Sequence, residues 1–371
     1  MASASSRPAR LRGFLLPVLL LALIAFVVLQ FTTVQRLVAT FQSASLAWLL
    51  ASTVLHVGFF SFYAWMYHFG FEAVEAPIST RRLVPVVFAA MFAKAIVPIE
   101  GAGFAAVLMA ESARAGRPPA RAAAVALLVS AIDLTTAAPF VLTGLVVLAL
   151  RGTLAPYDVI VGGMFVLVIG AFLTALWLGR TRPGILRAIL ALVRGGIQRV
   201  GRMLGRSGLL DAGWPERNAL QFTAAAAAVV RHPRSVAPAA GVSLLLHAFN
   251  IAGLFTIFQM FGRPVGLATL VATFGLSTAL YVVSVTPQGV GSVEGGTALV
   301  LEALGLPAQL AIAVTLTYRA MNIWVPVVLG FGAAELLVTR PPAVDDVRGV
   351  ESTPERRDAR SSVAARGDPV R

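Results

Sequence analysis

The stretch Thr286-Pro287-Gln288-Gly289-Val290-Gly291-Ser292-Val293-Glu294 sets a proline, two glycines and a carboxylate inside sequence that otherwise reads as membrane helix. Proline removes a backbone donor and clashes with the preceding turn, and glycine weakens a helix further. In hydrocarbon the freed backbone groups need partners in protein or in a water-filled cavity. The stretch therefore predicts a break in a helix, buried among other helices.

The surrounding chain supplies the membrane. Of 371 residues, 58% are hydrophobic and 13% charged, against about 25% charged in a soluble globular domain. With no cysteine, disulfides, thiolate metal sites and cysteine nucleophiles are excluded. The four histidines (His56, His68, His232, His247) form no metal-binding pattern. The net charge of +13 is almost all arginine, Lys94 being the only lysine. Most of these arginines fall in loops and tails, which reads as membrane topology and attraction to anionic headgroups, not as nucleic-acid binding.

Working outward gives an all-α polytopic membrane protein of about eight transmembrane helices, with two broken or re-entrant Pro-Gly segments in an internal repeat. Spans are expected near residues 13–29, 46–69, 83–97, 122–150, 159–178, 236–261, 267–285 and 308–338. Residues 1–12 form a basic tail and residues 339–371 a polar tail expected to be disordered. Within the membrane domain, residues 13–338, the loop 179–234 holds ten arginines (180, 182, 187, 194, 199, 202, 206, 217, 231, 234) and reads as cytoplasmic. In that loop, Leu186 to Leu204 has the spacing of a helix lying on the membrane surface. The run Ala219 to Val230 is too short to span.

The break at Pro287 has a counterpart at Pro98. Gly101, Gly103, Glu111, Gly116 and Pro118 follow Pro98; Gly289, Gly291, Glu302, Gly305 and Pro307 follow Pro287. Each unit, about 77–150 and 264–338, reads as short span, break, half-helix, Gly-x-Pro turn and long span. Each break proline stands the same distance before its turn proline (118 − 98 = 307 − 287 = 20), and the units are offset by 287 − 98 = 189. Paired broken segments point to a transport site near the bilayer midplane. Either each break is a hairpin returning to its own side, or the segment after it crosses the membrane. The ten-arginine loop, set against three arginines in the N-terminal tail, favours crossing, with inverted repeats; an N-terminus on the outer side would resolve the conflict as well.

Charges in these segments cost about 2.5–3.5 kcal/mol each at the bilayer centre. Lys94, Glu100, Asp133, Glu294 and Arg319 therefore need pairing or hydration. The offset of 189 sets Asp133 opposite Asn322, one turn from Arg319. Depth favours the pairs Glu294 with Arg319 and Lys94 with Asp133. One reading makes these structural ion pairs. The other makes them a hydrated cavity in which Arg319 and Lys94 meet a lipid phosphate, helped by half-helix N-termini after Gly103 and Gly291. His247 and Asn250, with Gln259, are candidates for the same cavity; His56 and His68 read as structural or interfacial.

Pro287 to Glu294, the turn Leu304-Gly-Leu-Pro307, Tyr318-Arg319 and Trp324-x-Pro326 together resemble the second signature of the flippase-like membrane domain family, known from the transmembrane region of lysylphosphatidylglycerol synthases. Gly101, Gly103 and Asp133 resemble its first signature more loosely, with Glu100 and Phe104 departing from it. The resemblance implies a lipid flippase or lipid-handling protein. In bifunctional relatives the membrane domain moves aminoacylated phosphatidylglycerol between leaflets, and a separate soluble domain makes it. With only a polar tail after residue 338, this chain is not expected to aminoacylate lipid.

The function expected is movement of a phospholipid or lipid-linked substrate between leaflets of the cell membrane. The substrate-binding candidates are Lys94, Glu100, Gly101, Gly103, Asp133, Pro287, Gly289, Gly291, Glu294, Arg319 and Asn322, and the expected partners are anionic or phosphate-bearing membrane lipids. No cofactor is expected, and no Walker A string is present. The alternatives are a membrane-embedded transferase using Glu294 or Asp133 as base, or a non-catalytic partner of a separate lipid-modifying enzyme.

Overall fold

The computed structural model describes residues 39–96, 102–203, 210–284 and 286–338. The expected first span, both tails, Pro98, Glu100, Gly101 and Arg206 lie outside them. The described helices are α1 (Leu46–Ala73), α2 (Thr80–Ile96), α3 (Ala102–Arg114), α4 (Pro119–Leu150), α5 (Pro156–Thr181), α6 (Pro183–Met203), α7 (Trp214–Arg231), α8 (Pro233–Met260), α9 (Leu267–Val283), α10 (Ser292–Ala303) and α11 (Ala308–Val338). Pro119, Pro156, Pro183 and Pro233 each open a helix, where a missing N–H goes unneeded and the fixed φ suits the first turn. Five helices, α1, α4, α5, α8 and α11, are long and apolar enough to cross a membrane.

Contacts at the helix ends sort the chain onto two faces. On one face, Arg121 donates to the Glu75 carbonyl just after α1, and His232, at the start of α8, lies 3.0 Å from the Glu75 carboxylate. On the other, the Ser45 N–H before α1 donates to the Met260 carbonyl ending α8, at 2.9 Å. Arg151, after α4, donates to Thr269 at the start of α9 at 3.3 Å. So α1 and α8 run antiparallel, and α4 and α11 cross in opposite senses. Among the described residues outside the crossing segments, arginines crowd the first face and only Arg151 and Arg263 lie on the second. The crowded face also carries α6 and α7. The α6 face with Ile185, Ile189, Leu192 and Ile197 is exposed, in keeping with a helix on the bilayer surface.

The two short helices at each break lie antiparallel, so the arginine-rich loop falls on the face where α2 begins, as the arginine count favours. Arg82, near the start of α2, pairs with Glu111, near the end of α3, so α3 returns to the side where α2 began. Ser277 of α9 meets Thr297 of α10 at 2.8 Å, and Ala272 and Leu276 pack with Val300 and Leu304. That pairing is antiparallel too. At 1.5 Å per residue, the 13 residues of α3 and the 12 of α10 make helices of roughly 20 Å, short of about 30 Å of hydrocarbon. The α2–α3 hairpin enters from the basic face and the α9–α10 hairpin from the other. Their packing is reciprocal, α2 along α11 and α9 along α4. Close approach is made through glycine: a side chain at Gly275 would meet the Phe140 carbonyl, and one at Gly330 the Phe88 carbonyl.

Apolar packing follows this plan. One cluster, including Phe71, Leu83 and Leu108, fills the basic-face half; another, including Phe258, Leu270 and Leu301, fills the opposite half. Between them lies a polar layer.

Candidate functional site

The polar layer is organised by the break between α9 and α10. After Ser284 the chain leaves the helix and makes a single tight turn, Pro287–Gly289. Three residues there have positive φ: Gln288 at 55°, Gly289 at 69° and Gly291 at 85°. Glycine takes this conformation freely, whereas Gln288 is strained by about 1–2 kcal/mol. The strain at Gln288 is offset by two contacts. Its carbonyl accepts from Arg319 Nη2, and its amide donates to the Lys94 carbonyl at 3.1 Å. Lys94 lies in the last turn of α2, where carbonyls lack helical partners. The second break thus caps the helix that leads into the first.

Glu294 closes the turn from the other side. Its Oε2 accepts the Gly291 N–H at 2.7 Å, the helix-start contact of a capping box. Its Oε1 accepts from Arg319 Nε at 2.9 Å. The Glu294–Arg319 pair expected from depth is therefore formed. The Arg319 side chain is only 9% exposed and holds the hairpin tip by both its carboxylate and its backbone. Ser284, Thr286 and Ser292 add a hydroxyl network at 2.7–3.4 Å.

Asp133, on α4, faces a different set of partners. Ser243 Oγ donates to its Oδ1 at 3.1 Å, and His247 Nε2 lies 3.7 Å from the same oxygen. Thr136 Oγ1 meets Ser243 Oγ at 2.7 Å and His247 Nε2 at 3.1 Å. These partners all come from α8. Ser243, His247 and Asn250 lie at i, i+4 and i+7 on one face of that helix, a spacing that was readable in the sequence. Only the distance along the chain hid the contact with Asp133.

A cavity of about 210 Å³ opens at the hairpin tips, with Lys94, Asp133, His247, Asn250, Arg319 and Asn322 on its wall. A second space of about 440 Å³ adjoins it, sharing Tyr63, Met91, Lys94, Asp133 and Tyr281 and reaching Thr286 and Gly289. Lys94 and Asp133 thus share both spaces. The Lys94 ammonium sits 4.9 Å from the centre of the Tyr281 ring, within cation–π range. Tyr318 Oη donates to Asn250 Oδ1 at 3.3 Å.

Of the other sequence candidates, Pro287, Gly289 and Gly291 shape the tip. Gly103 is buried in the first turn of α3. Glu100 and Gly101 fall outside the described residues, and Gln259 is not on the cavity wall. His56 is packed on α8, with Nδ1 2.8 Å from the Ser52 carbonyl. His68 lies 2.7 Å from the Ile78 carbonyl. Gln288 went unnoticed in the sequence, because its role depends on backbone conformation. Among the described residues no group of three His, Asp or Glu side chains is placed to hold a metal ion. The cavity, walled by a buried and a half-buried cation, amides and hydroxyls, has the donors to replace part of the hydration shell of a phosphate-bearing group.

Fold and site define an all-helical, multi-pass membrane protein with a polar cavity between opposed helical hairpins. The chain belongs to the family described as the lysylphosphatidylglycerol synthase TM region, whose model matches residues 14–330. That membership ties it to lipid modification or transport. No curated protein matches the chain.

Proposed function

We propose that the protein moves a phospholipid, or a lipid-linked substrate with a phosphate group, between the leaflets of the cell membrane. The carrying observation is the polar cavity at the meeting point of two hairpins that enter from opposite faces. The eight helices involved form an inverted internal repeat with re-entrant tips. In chain order α1 to α4 have 28, 17, 13 and 32 residues, and α8 to α11 have 28, 17, 12 and 31. The repeat is longer than the motif-bearing segments alone. For α1/α8 and α2/α9 the offset is 187 (233 − 46 = 267 − 80 = 187). Equivalent positions line the same cavity in pairs: Phe60 and His247, Tyr63 and Asn250, Met91 and Thr278, Lys94 and Tyr281 at offset 187, and Asp133 and Asn322 at offset 189. A transport site is expected there, on the axis relating two inverted halves.

Lys94 receives the phosphate beside the hairpin tip that Arg319 holds in shape, and the Asp133–His247 cluster contacts the rest of the headgroup. The arginine-rich face is cytoplasmic. Exchange proceeds by rocking of the halves around the cavity. The test is exchange of a fluorescent phospholipid between leaflets of proteoliposomes, read by quenching from outside. Protein-dependent exchange supports the reading. Vesicles no faster than protein-free controls with every phospholipid headgroup tried would overturn it. Turnover of lipid without exchange would favour a membrane-embedded transferase with Asp133 as base.

A further inference from the structure

Each long helix of the two halves is a partition. On α4, Asp133 faces the polar cavity, while Leu128, Ala131, Ile132, Thr135 and Thr136 face an apolar groove of about 360 Å³ on the helix's other side. On α11, Arg319 and Asn322 face the cavity, while Leu316, Thr317, Ala320 and Met321 face a second apolar groove of about 450 Å³. The grooves occupy matching places. Leu128, Ala131 and Ile132 correspond to Thr317, Ala320 and Met321 (317 − 128 = 320 − 131 = 321 − 132 = 189). The neighbouring helix is matched as well, Val236 at the start of α8 with Leu49 at the start of α1 (236 − 49 = 187).

The two grooves lie in opposite halves of the membrane. The first is completed by the last turns of α5 and α7 and the first turns of α8, all at the arginine-rich face. The second is completed by the first turn of α1 and by Met260 at the end of α8, at the other face. The first groove borders a seam into the cavity region, and the second is closed on that side by the α1–α11 contact. Thr136 lines the first groove and also contacts Ser243 and His247. Met321 lines the second and receives a contact from Thr53 Oγ1 at 3.7 Å. The first groove has Arg180 and the 60% exposed Trp177 on its wall. This aromatic and cationic pair suits the headgroup level of a leaflet that presents phosphate.

We infer that these are paired acyl-chain sites, one per leaflet, each holding the hydrocarbon of a membrane phospholipid, the first beside the seam through which its headgroup reaches the cavity. The occupant is a lipid because both grooves are apolar, both lie at hydrocarbon depth, and the one on the cytoplasmic side has a cation where a phosphate would sit. The inference rests on the lipid-transport reading for its purpose and on the grooves alone for its binding.

The test uses phosphatidylglycerol with a photoreactive group midway along one acyl chain, reconstituted with the full-length protein. Adducts are mapped by mass spectrometry. Adducts at 128–136 with 226–240, and at 44–49 with 316–321, should exceed those on the lipid-facing surface of α5 around Leu167 by about tenfold, a preference of about 1.4 kcal/mol. Thr135 and Leu316 are exposed, so Thr135→Trp and Leu316→Trp fill one groove each without entering a core. Each should remove the adducts of its own groove and leave the other's in place. Labelling no stronger than around Leu167, or adducts unchanged by the tryptophans, would overturn the inference. Because adducts are read independently of exchange, labelled grooves in a protein that exchanges no lipid would sink the transport reading and leave the binding sites standing.

Discussion

The two four-helix halves share helix lengths and packing but not the direction of their polar contacts. In the second half the buried cation is spent internally: Arg319 binds Glu294 and the Gln288 carbonyl, all within that half. In the first half Asp133 reaches outward, to Ser243 and His247 of the other half. The first arrangement holds one hairpin tip in shape. The second joins the halves, and the proposed rocking would have to break and remake it. Helices of matching length thus carry an ion pair within one group on one side of the cavity and a contact between the groups on the other. The structural reading of the intramembrane charges fits the Glu294–Arg319 pair; the functional reading is proposed for Asp133 and its partners.

The largest expected effect comes from breaking the internal pair. Arg319→Ala leaves Glu294 partly buried without its cation and releases the Gln288 carbonyl, and loss of one partner of a buried pair costs about 3–5 kcal/mol. Thermal unfolding in detergent should show a clear loss, with exchange falling in parallel. Glu294→Gln combined with Arg319→Gln should recover part of that loss, read as a coupling free energy from the double-mutant cycle.

A smaller effect is expected at the tip glycine. A side chain at Gly289 would need φ near 69° and would collide with the Val293 side chain, so Gly289→Ala should cost about 1–3 kcal/mol. Gly305, with φ 92° and nothing within 4 Å, isolates the backbone part; Gly305→Ala should lie below Gly289→Ala in the same unfolding measurement.

The smallest effect on stability belongs to the contact between halves. Asp133→Asn keeps an acceptor for Ser243 and removes a charge that is 37% exposed. Unfolding should shift by less than about 1 kcal/mol, while the exchange rate falls about tenfold or more, equivalent to about 1.4 kcal/mol in the barrier. Equal losses of stability from Asp133→Asn and Arg319→Ala would erase the distinction between the two regions.

Much of this was legible in the sequence, for identifiable reasons. The apolar runs gave the long helices, because burial in lipid leaves few other compositions possible. Glu294 and Arg319 were paired correctly, because both lie close to the same break on neighbouring helices. The return of each hairpin was not legible. The sequence leaves open whether the half-helix after each break returns or crosses, and the ion pair that fixes the antiparallel arrangement, Arg82 with Glu111, joins residues with no motif. The matching of α1 with α8 was equally hidden, because lipid-facing helices conserve length and packing without a recognisable string. Lys94 and Asp133, matched by depth, line the same two spaces, while the hydrogen bond Asp133 receives from Ser243 depends on how α4 and α8 cross.

If lipid crosses by movement of the halves against each other, a covalent link between them should stop it. The chain has no cysteine, so disulfides can be placed at will. Thr136 and Ser243 oxygens lie 2.7 Å apart across the halves, and Ser277 and Thr297 oxygens 2.8 Å apart within one hairpin. The measurement is leaflet exchange in proteoliposomes with each pair changed to cysteine, oxidised and then reduced. Oxidised Thr136→Cys/Ser243→Cys should stop exchange and reductant should restore it, while Ser277→Cys/Thr297→Cys exchanges lipid in both states. Undiminished exchange through the oxidised Thr136→Cys/Ser243→Cys protein would contradict the account.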